Sequence, residues 1–210
     1  MKKISLMKSI LIILLIIVII FGISKFLKNK NDETQKLASI YTNLNTSQTY
    51  LFEMKKNDKN KTIMAKKDNQ TIIDQYSNGN HSTTLVKNDT TYFILHDRKE
   101  YYVYEQNNVD QSILVDGLKE VIGRAFTTGE EKVKGKKYSY EEYNGSTMFM
   151  ISNSLEVNEE DIKTKFYFDK DDNLVYVKTI YGDNEELMQI NIENEVDDSM
   201  FLIPSDYAEN

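Results

Sequence analysis

From Thr49 to Glu105 the chain changes character roughly every ten residues: short runs rich in Tyr, Phe, Ile, Val and Thr stop at NDKN, KDN, SNGN, KND and DRK, then start again. Breaks this short each admit a hairpin, whereas parallel neighbours need a crossover of a dozen or more residues. This half of the chain is thereby committed to an antiparallel meander. Strands are expected near Gln48–Lys56, Lys61–Lys66, Gln70–Tyr76, Ser82–Lys87, Thr90–His96 and Glu100–Glu105. Within the first of them, Tyr50, Phe52 and Met54 share one face and Leu51, Glu53 and Lys55 the other.

Two segments break the strand pattern. Before the meander, Leu37, Ile40, Tyr41 and Leu44 recur at three- and four-residue spacing, which predicts an amphipathic helix through about Asn43, capped by Asp32 or Thr34. After it, Asp110 is a candidate N-cap for a helix over 110–126 that carries Leu114, Leu118, Val121, Ile122 and Ala125 on one face, with Gly129 beyond its end. Gly117 inside that helix costs it about 1 kcal/mol relative to alanine. Strands resume at Lys136–Tyr143, Thr147–Ser152, Ile162–Asp169, Leu174–Tyr181 and Glu186–Glu195. The only proline, Pro204, suits a sheet edge or the end of the last strand.

The N-terminus is of another kind. Residues 10–23, ILIILLIIVIIFGI, are uninterrupted apolar or glycine positions, with Lys2, Lys3 and Lys8 before them and Lys25 and Lys28 after. A signal peptide and an uncleaved membrane anchor both fit this length. The sequence Gly22-Ile23-Ser24-Lys25 has no small-residue cleavage triplet, and lysines that snorkel at both ends extend the span to Leu27, which favours the anchor. Residues 1–28 are then the anchor, 29–48 a connector and first helix, and 49–210 the main domain, outside the cytoplasm at the cell membrane. Without cysteine there is no disulfide framework, no thiolate site and no lipid-modified cysteine. Beyond residue 28 the chain holds 21 basic and 33 acidic residues, which argues against a broad basic face for nucleic acid or anionic lipid. The Lys-, Asn- and Ile-heavy composition points to an AT-rich bacterial genome.

Motifs for chemistry fail one by one. In KFYFDKDDNLVYVKTIYG, a calcium loop read from Asp169 needs glycine at its sixth position and an acid at its twelfth, where the chain has Leu174 and Ile180. Asp and Asn at such a place form hairpin turns. His81 and His96 have no metal-ligand spacing and read as surface histidines near strand ends; no nucleophile elbow or phosphate-binding glycine fingerprint is present. The sequence therefore assigns no catalytic, cofactor-binding or metal residue and points away from an enzyme. Apolar stripes are what is left: Tyr50, Phe52 and Met54; Phe166 and Phe168; Val175 and Val177; Met188, Ile190 and Ile192; and Leu114, Leu118, Val121 and Ile122 on the second helix. Such stripes close into a core or line a cavity, and spacing alone favours the core.

The order helix, six-strand meander, helix, five strands resembles the lipoprotein-carrier superfamily of LolA, LolB and LppX types over about residues 33–207. The resemblance rests on the opening helix running into NTSQTYLFEMK, the hairpin KTKFYFDKDDNLVYVKTI and the closing VDDSMFLIPSDY. It implies an α+β, mainly β fold: a curved antiparallel half-barrel of about eleven strands around a hydrophobic cavity, with an N-terminal helix, with residues 110–126 as lid or plug, and here with one transmembrane segment in front. It further implies non-enzymatic binding of a lipid, a lipoprotein acyl chain or another hydrophobic ligand, with the stripes above lining the site. The chain departs from the free periplasmic carriers in its anchor and from the lipoprotein members in lacking a tethering cysteine, so what carries over is binding beside a membrane rather than ferrying. The alternative is a sensory or protein-interaction module of the same fold, similar to sigma-factor regulatory sensors, meeting a basic partner through Glu130, Glu131, Glu141 and Glu142.

Overall fold

Each short break in the meander closes as a hairpin turn in the computed structural model, which describes residues 35–104, 118–145 and 162–210. Strands β1 (Thr49–Asn57), β2 (Asn60–Lys67), β3 (Gln70–Ser77), β4 (Asn80–Lys87), β5 (Thr90–Leu95) and β6 (Glu100–Tyr104) pair in sequence, all antiparallel. At Asn78-Gly79 and Asn88-Asp89 both central residues have positive φ, the geometry whose twist matches that of the flanking strands. A second meander, β7 (Thr127–Val133), β8 (Lys136–Asn144), β9 (Ile162–Phe168), β10 (Leu174–Tyr181) and β11 (Asn184–Glu193), joins the first through a β1–β11 pair that sets Phe52 opposite Ile192 and Met54 opposite Ile190. With β12 (Ala208–Glu209) parallel to β6, the result is one open sheet of twelve strands, ordered β12-β6-β5-β4-β3-β2-β1-β11-β10-β9-β8-β7. Lys36–Asn210 form one compact unit.

The sheet carries two cores on opposite faces. Helix α1 (Lys36–Thr46) lies on one face, where Leu37 and Leu44 pack with Tyr50, Phe52, Phe166, Phe168, Val177 and Met188. On the other face the C-terminal tail, from Val196 through the 3-10 turn Asp198–Phe201 to Tyr207, packs over Ala65, Ile72, Leu85 and Ile94. Strand β1 serves both, Phe52 facing the helix and Leu51 the tail, because successive side chains alternate across a strand. The sheet is thus packed by a thin core on each face.

Four expectations change. Helix 110–126 is, in its described part, a helical turn at 118–121; the chain then turns and enters β7 at Thr127, so Ala125 is exposed and Gly129 lies in a strand. Strand β7, TTGEEKV, escapes a search for aromatic and β-branched runs because it is an edge strand with a solvated polar face. Gly129 is needed there for space: the Tyr140 ring lies across it, and a Cβ would fall 2.5 Å from the Tyr140 hydroxyl. Pro204 belongs to the tail crossing the sheet, where its carbonyl accepts from the Tyr207 N–H, rather than to a sheet strand. A bulge between Leu174 and Tyr176 breaks the expected Val175/Val177 face, so that Leu174, opposite Phe168, is buried with Val177 and Val175 is not. The expected strand Thr147–Ser152, the cap candidates Asp32 and Thr34, Asp110, Leu114, Gly117 and the apolar run 10–23 lie outside the described residues. Among the described residues no helix is long and apolar enough to cross a membrane.

Candidate functional site: a cavity at the end of the first helix

Helix α1 covers only part of its face. Its last turn ends at Thr46, where the Ser47 N–H donates to the Asn43 carbonyl and the Ser47 hydroxyl accepts from the Thr49 N–H, turning the chain into β1. The space between this turn and the ends of β1, β10 and β11 is a cavity of about 700 Å³. Its apolar lining residues are Ile40, Leu44, Tyr50, Leu174, Val175, Ile190 and Ile192. Its rim is made of amides and hydroxyls, chiefly Asn43, Ser47, Asn173, Asn191 and Asn194.

Among the described residues one carboxylate lines the cavity, that of Asp169, and the hairpin turn holds it. Its carboxylate accepts from the backbone N–H groups of Asp171 and Asn173, both at 2.9 Å, and from the Asn173 side-chain amide. Burial pulls the other way, but the Asn173 side-chain amide and then the two backbone donors hold the carboxyl below its ordinary value. The acids of KFYFDKDDNLVYVKTIYG thus close a turn, with Asp172 at positive φ. Burial pushes the Tyr50 phenol up, so its hydroxyl stays neutral. The site thus joins apolar side chains to a larger polar lining of amides and hydroxyls, with one carboxylate held in a turn.

The proposed lining residues separate into groups. Tyr50, Val175, Ile190 and Ile192 line the cavity. Phe52, Leu118, Val121, Phe166, Phe168, Val177 and Met188 are at most 1 % exposed and make the filled core beside it, with Met54 packed against them. Ile122 is half-buried, and Leu114 lies outside the described residues. Ile40, Leu44 and Leu174 also line the cavity, although no stripe read from the sequence assigns them to it. The helix stripe does carry Ile40 and Leu44, but which end of α1 stands free is decided by what docks its other end.

That other end is held by Glu141 of β8. Only 2 % exposed, its carboxylate accepts from the backbone N–H groups of Lys36 and Leu37 and from the Tyr143 hydroxyl at 2.8 Å. Glu141 is therefore no part of an acidic docking surface. Glu130 is paired with Lys137 at 2.6 Å, Glu142 with Lys165 at 3.6 Å, and Glu131 with both Lys165 and Lys178 at 2.8 Å. Of the four acids expected to form an acidic patch, three are ion-paired and the fourth is buried.

Lys165 first, then Lys178, hold the Glu131 carboxyl down at about 2 against an ordinary value of 4.5. A depressed carboxyl lends stability that is complete above its unfolded value and disappears as pH falls through the folded one. Glu131→Gln is expected to lower the denaturation midpoint at pH 7 and to flatten the loss of stability between pH 4.5 and about 2. Equal slopes for variant and parent in that window, measured by chemical denaturation, would remove this assignment. The carboxylate is 31 % exposed, so the effect is modest.

The histidines also differ from expectation. His81 and His96 are partly buried and stacked, ring centroids 3.7 Å apart. Burial, and after it the neighbouring His81, hold His96 below its ordinary value. They meet because β4 and β5 lie side by side, a proximity that the fifteen-residue separation in sequence does not show.

No protein-family model matches the chain, and no curated relative does. Similar solved structures include an uncharacterized conserved protein from Thermus thermophilus, 9 % identical with a TM-score of 0.42, covering 84 % of this chain and 97 % of that one. Another is the lipoprotein LppX of Mycobacterium tuberculosis, 12 % identical with a TM-score of 0.42, covering 77 % of this chain and 97 % of that one.

Proposed function

We propose that this chain is a non-enzymatic, membrane-anchored extracytoplasmic protein that binds a lipid, a lipoprotein acyl chain or a similar apolar ligand in the cavity at the end of α1. The cavity itself carries the reading: about 700 Å³ lies within the range of ligand sites, and Ile40, Leu44, Tyr50, Leu174, Val175, Ile190 and Ile192 give it an apolar side beneath a polar, amide-rich one. An acyl chain entering it gains about 0.8 kcal/mol per methylene removed from water. The rim amides then offer hydrogen bonds to an ester or amide head without requiring a charge. The anchor follows from the apolar run at 10–23 and its flanking lysines.

Native mass spectrometry of the full chain extracted from membranes is expected to show a bound apolar molecule, and the same spectra report whether residues 1–28 remain attached. Asn43→Trp places an indole in the cavity mouth without removing a core contact. It is expected to lower uptake of an apolar fluorescent probe at least tenfold while leaving the thermal midpoint within a few degrees. A parent protein that carries no lipid and takes up no probe would overturn the reading. The alternative, a module that docks a basic partner through Glu130, Glu131, Glu141 and Glu142, is less supported because Glu141 is buried and the other three are ion-paired to lysines.

A further inference from the structure

On the face opposite the cavity, three neighbouring strands bring the chain's only two histidines together. Tyr76 of β3 is directly opposite His81 of β4, and the His96 N–H, just past β5, donates to the His81 carbonyl. The three rings therefore stack in a row at strand spacing, 4.0 Å between Tyr76 and His81 and 3.7 Å between His81 and His96. One step along the same face, Asp74 is opposite Thr83. The Asp74 carboxylate lies 2.7 Å from His81 Nε2 and accepts from the Thr83 hydroxyl, whose oxygen lies 2.7 Å from His96 Nε2. From the tail, the Tyr207 hydroxyl lies 2.9 Å from His96 Nδ1.

We propose that Asp74, His81 and His96 form a three-donor binding site for a divalent transition metal of the zinc type. One carboxylate oxygen and one ring nitrogen from each histidine all lie within 4.8 Å of one another. Two imidazoles and one carboxylate suit Zn(II), Co(II) or Ni(II), whereas Ca(II) takes six to eight oxygens and Mg(II) an octahedron of them. The donors stand on adjoining strands of one sheet, which holds their spacing better than loops would. Side-chain exposures of 12 % for Asp74 and 24 % for His81 leave an approach for an ion and few waters to displace.

Proton bookkeeping shows how the site changes hands. A carboxylate only accepts, so His81 Nε2 carries its proton; Thr83 gives its single proton to Asp74, so His96 Nε2 donates to Thr83 and His96 Nδ1 accepts from Tyr207. Metal binding moves each imidazole proton from Nε2 to Nδ1, tilts the two stacked rings so that both planes meet the ion and releases His96 Nε2 from Thr83, leaving both rings neutral with their Nε2 lone pairs on the metal. His96 Nδ1–H then donates to the Tyr207 oxygen, so the same contact persists with its direction reversed. Tyr207 and Thr83 thus orient His96 and Asp74 in the way partners behind metal ligands do. The site lies on the tail face and is independent of the cavity reading.

The test uses the full chain free of tag histidines, titrated with Zn(II) and Co(II) by calorimetry and visible absorption. The expected result is saturable binding of one ion per chain, no response to Ca(II) or Mg(II), and paramagnetically shifted imidazole N–H signals in the Co(II) form of the unaltered protein. His81→Gln and His96→Gln are each expected to weaken binding at least a hundredfold, and Tyr207→Phe by about 10- to 100-fold. Absence of saturable binding at millimolar Zn(II), absence of imidazole shifts, or binding unchanged in a folded His81→Gln/His96→Gln double variant would each overturn the proposal.

Discussion

Phe166→Ala is expected to destabilise the protein by about 3–5 kcal/mol, the range for truncating a buried phenylalanine. Phe166 is fully buried in β9, opposite Val177 on one side and Glu141 on the other. Its ring meets Tyr143 edge-on at 5.6 Å, and Tyr143 in turn stacks on Phe126. Removing it opens a void in the core that Phe166 shares with Leu118 and Val121. For a chain of this size the thermal midpoint falls by roughly 2–4 °C per kcal/mol, so a drop of about 10 °C is expected, against a total stability of about 5–15 kcal/mol. Probe uptake, by contrast, should persist in the fraction that stays folded, because Phe166 belongs to the filled core and not to the cavity wall. The Asn43→Trp result should be the reverse. A loss below about 1 kcal/mol would mean that the space over β8–β10 is not packed and that the binding cavity extends into it.

Glu141→Ala is expected to cost about 3 kcal/mol, because hydrogen bonds to a charged group are each worth about 1.5–3 kcal/mol and the Lys36 and Leu37 N–H groups would lose this acceptor. Helix α1 has no acidic residue in its own first turn, so Glu141 supplies, from a strand more than a hundred residues away, the negative charge that the positive end of a helix favours. Loss of the carboxylate should free α1 before the sheet melts. Hydrogen exchange is the measurement: amides of Lys36–Thr46 should exchange faster in Glu141→Ala while those of β3 and β4 keep their protection. Glu141→Gln, which keeps one acceptor oxygen, should fall between the two. Unchanged protection of α1 in Glu141→Ala would show that the apolar stripe of Leu37 and Leu44 alone docks the helix.

The strands most legible in sequence are those bounded by turn residues with a backbone reason to be there. Asn78-Gly79 and Asn88-Asp89 mark hairpins because Asn, Asp and Gly tolerate positive φ, and β1 through β6 follow within a residue or two. The first helix is equally plain from its stripe. Strand β7 is not, because an edge strand with a polar face lacks the alternation that reveals a half-buried one. The bulge at Leu174–Tyr176 is also invisible, since the preferences of Val175 do not tell whether the pleat skips a step there.

For the candidate site the division is sharper. Apolar stripes identify Tyr50, Ile190 and Ile192 as facing the helix side, yet the same pattern describes Phe166 and Val177, which are core. Periodicity reports which face a residue takes and is silent on whether that face meets a side chain or a space.

The local chain chemistry, then, determined the antiparallel meander, the opening helix, the closure of the Asp169 turn and the lack of a local catalytic motif, since each depends on residues a few positions apart. Only the tertiary structure decided the rest. The β1–β11 pairing, the capture of α1 by Glu141, the tail crossing the opposite face and the meeting of Asp74, His81, His96 and Tyr207 all join residues distant in sequence. Their partners are set by strand order and register, which are settled when the whole sheet closes its two cores together.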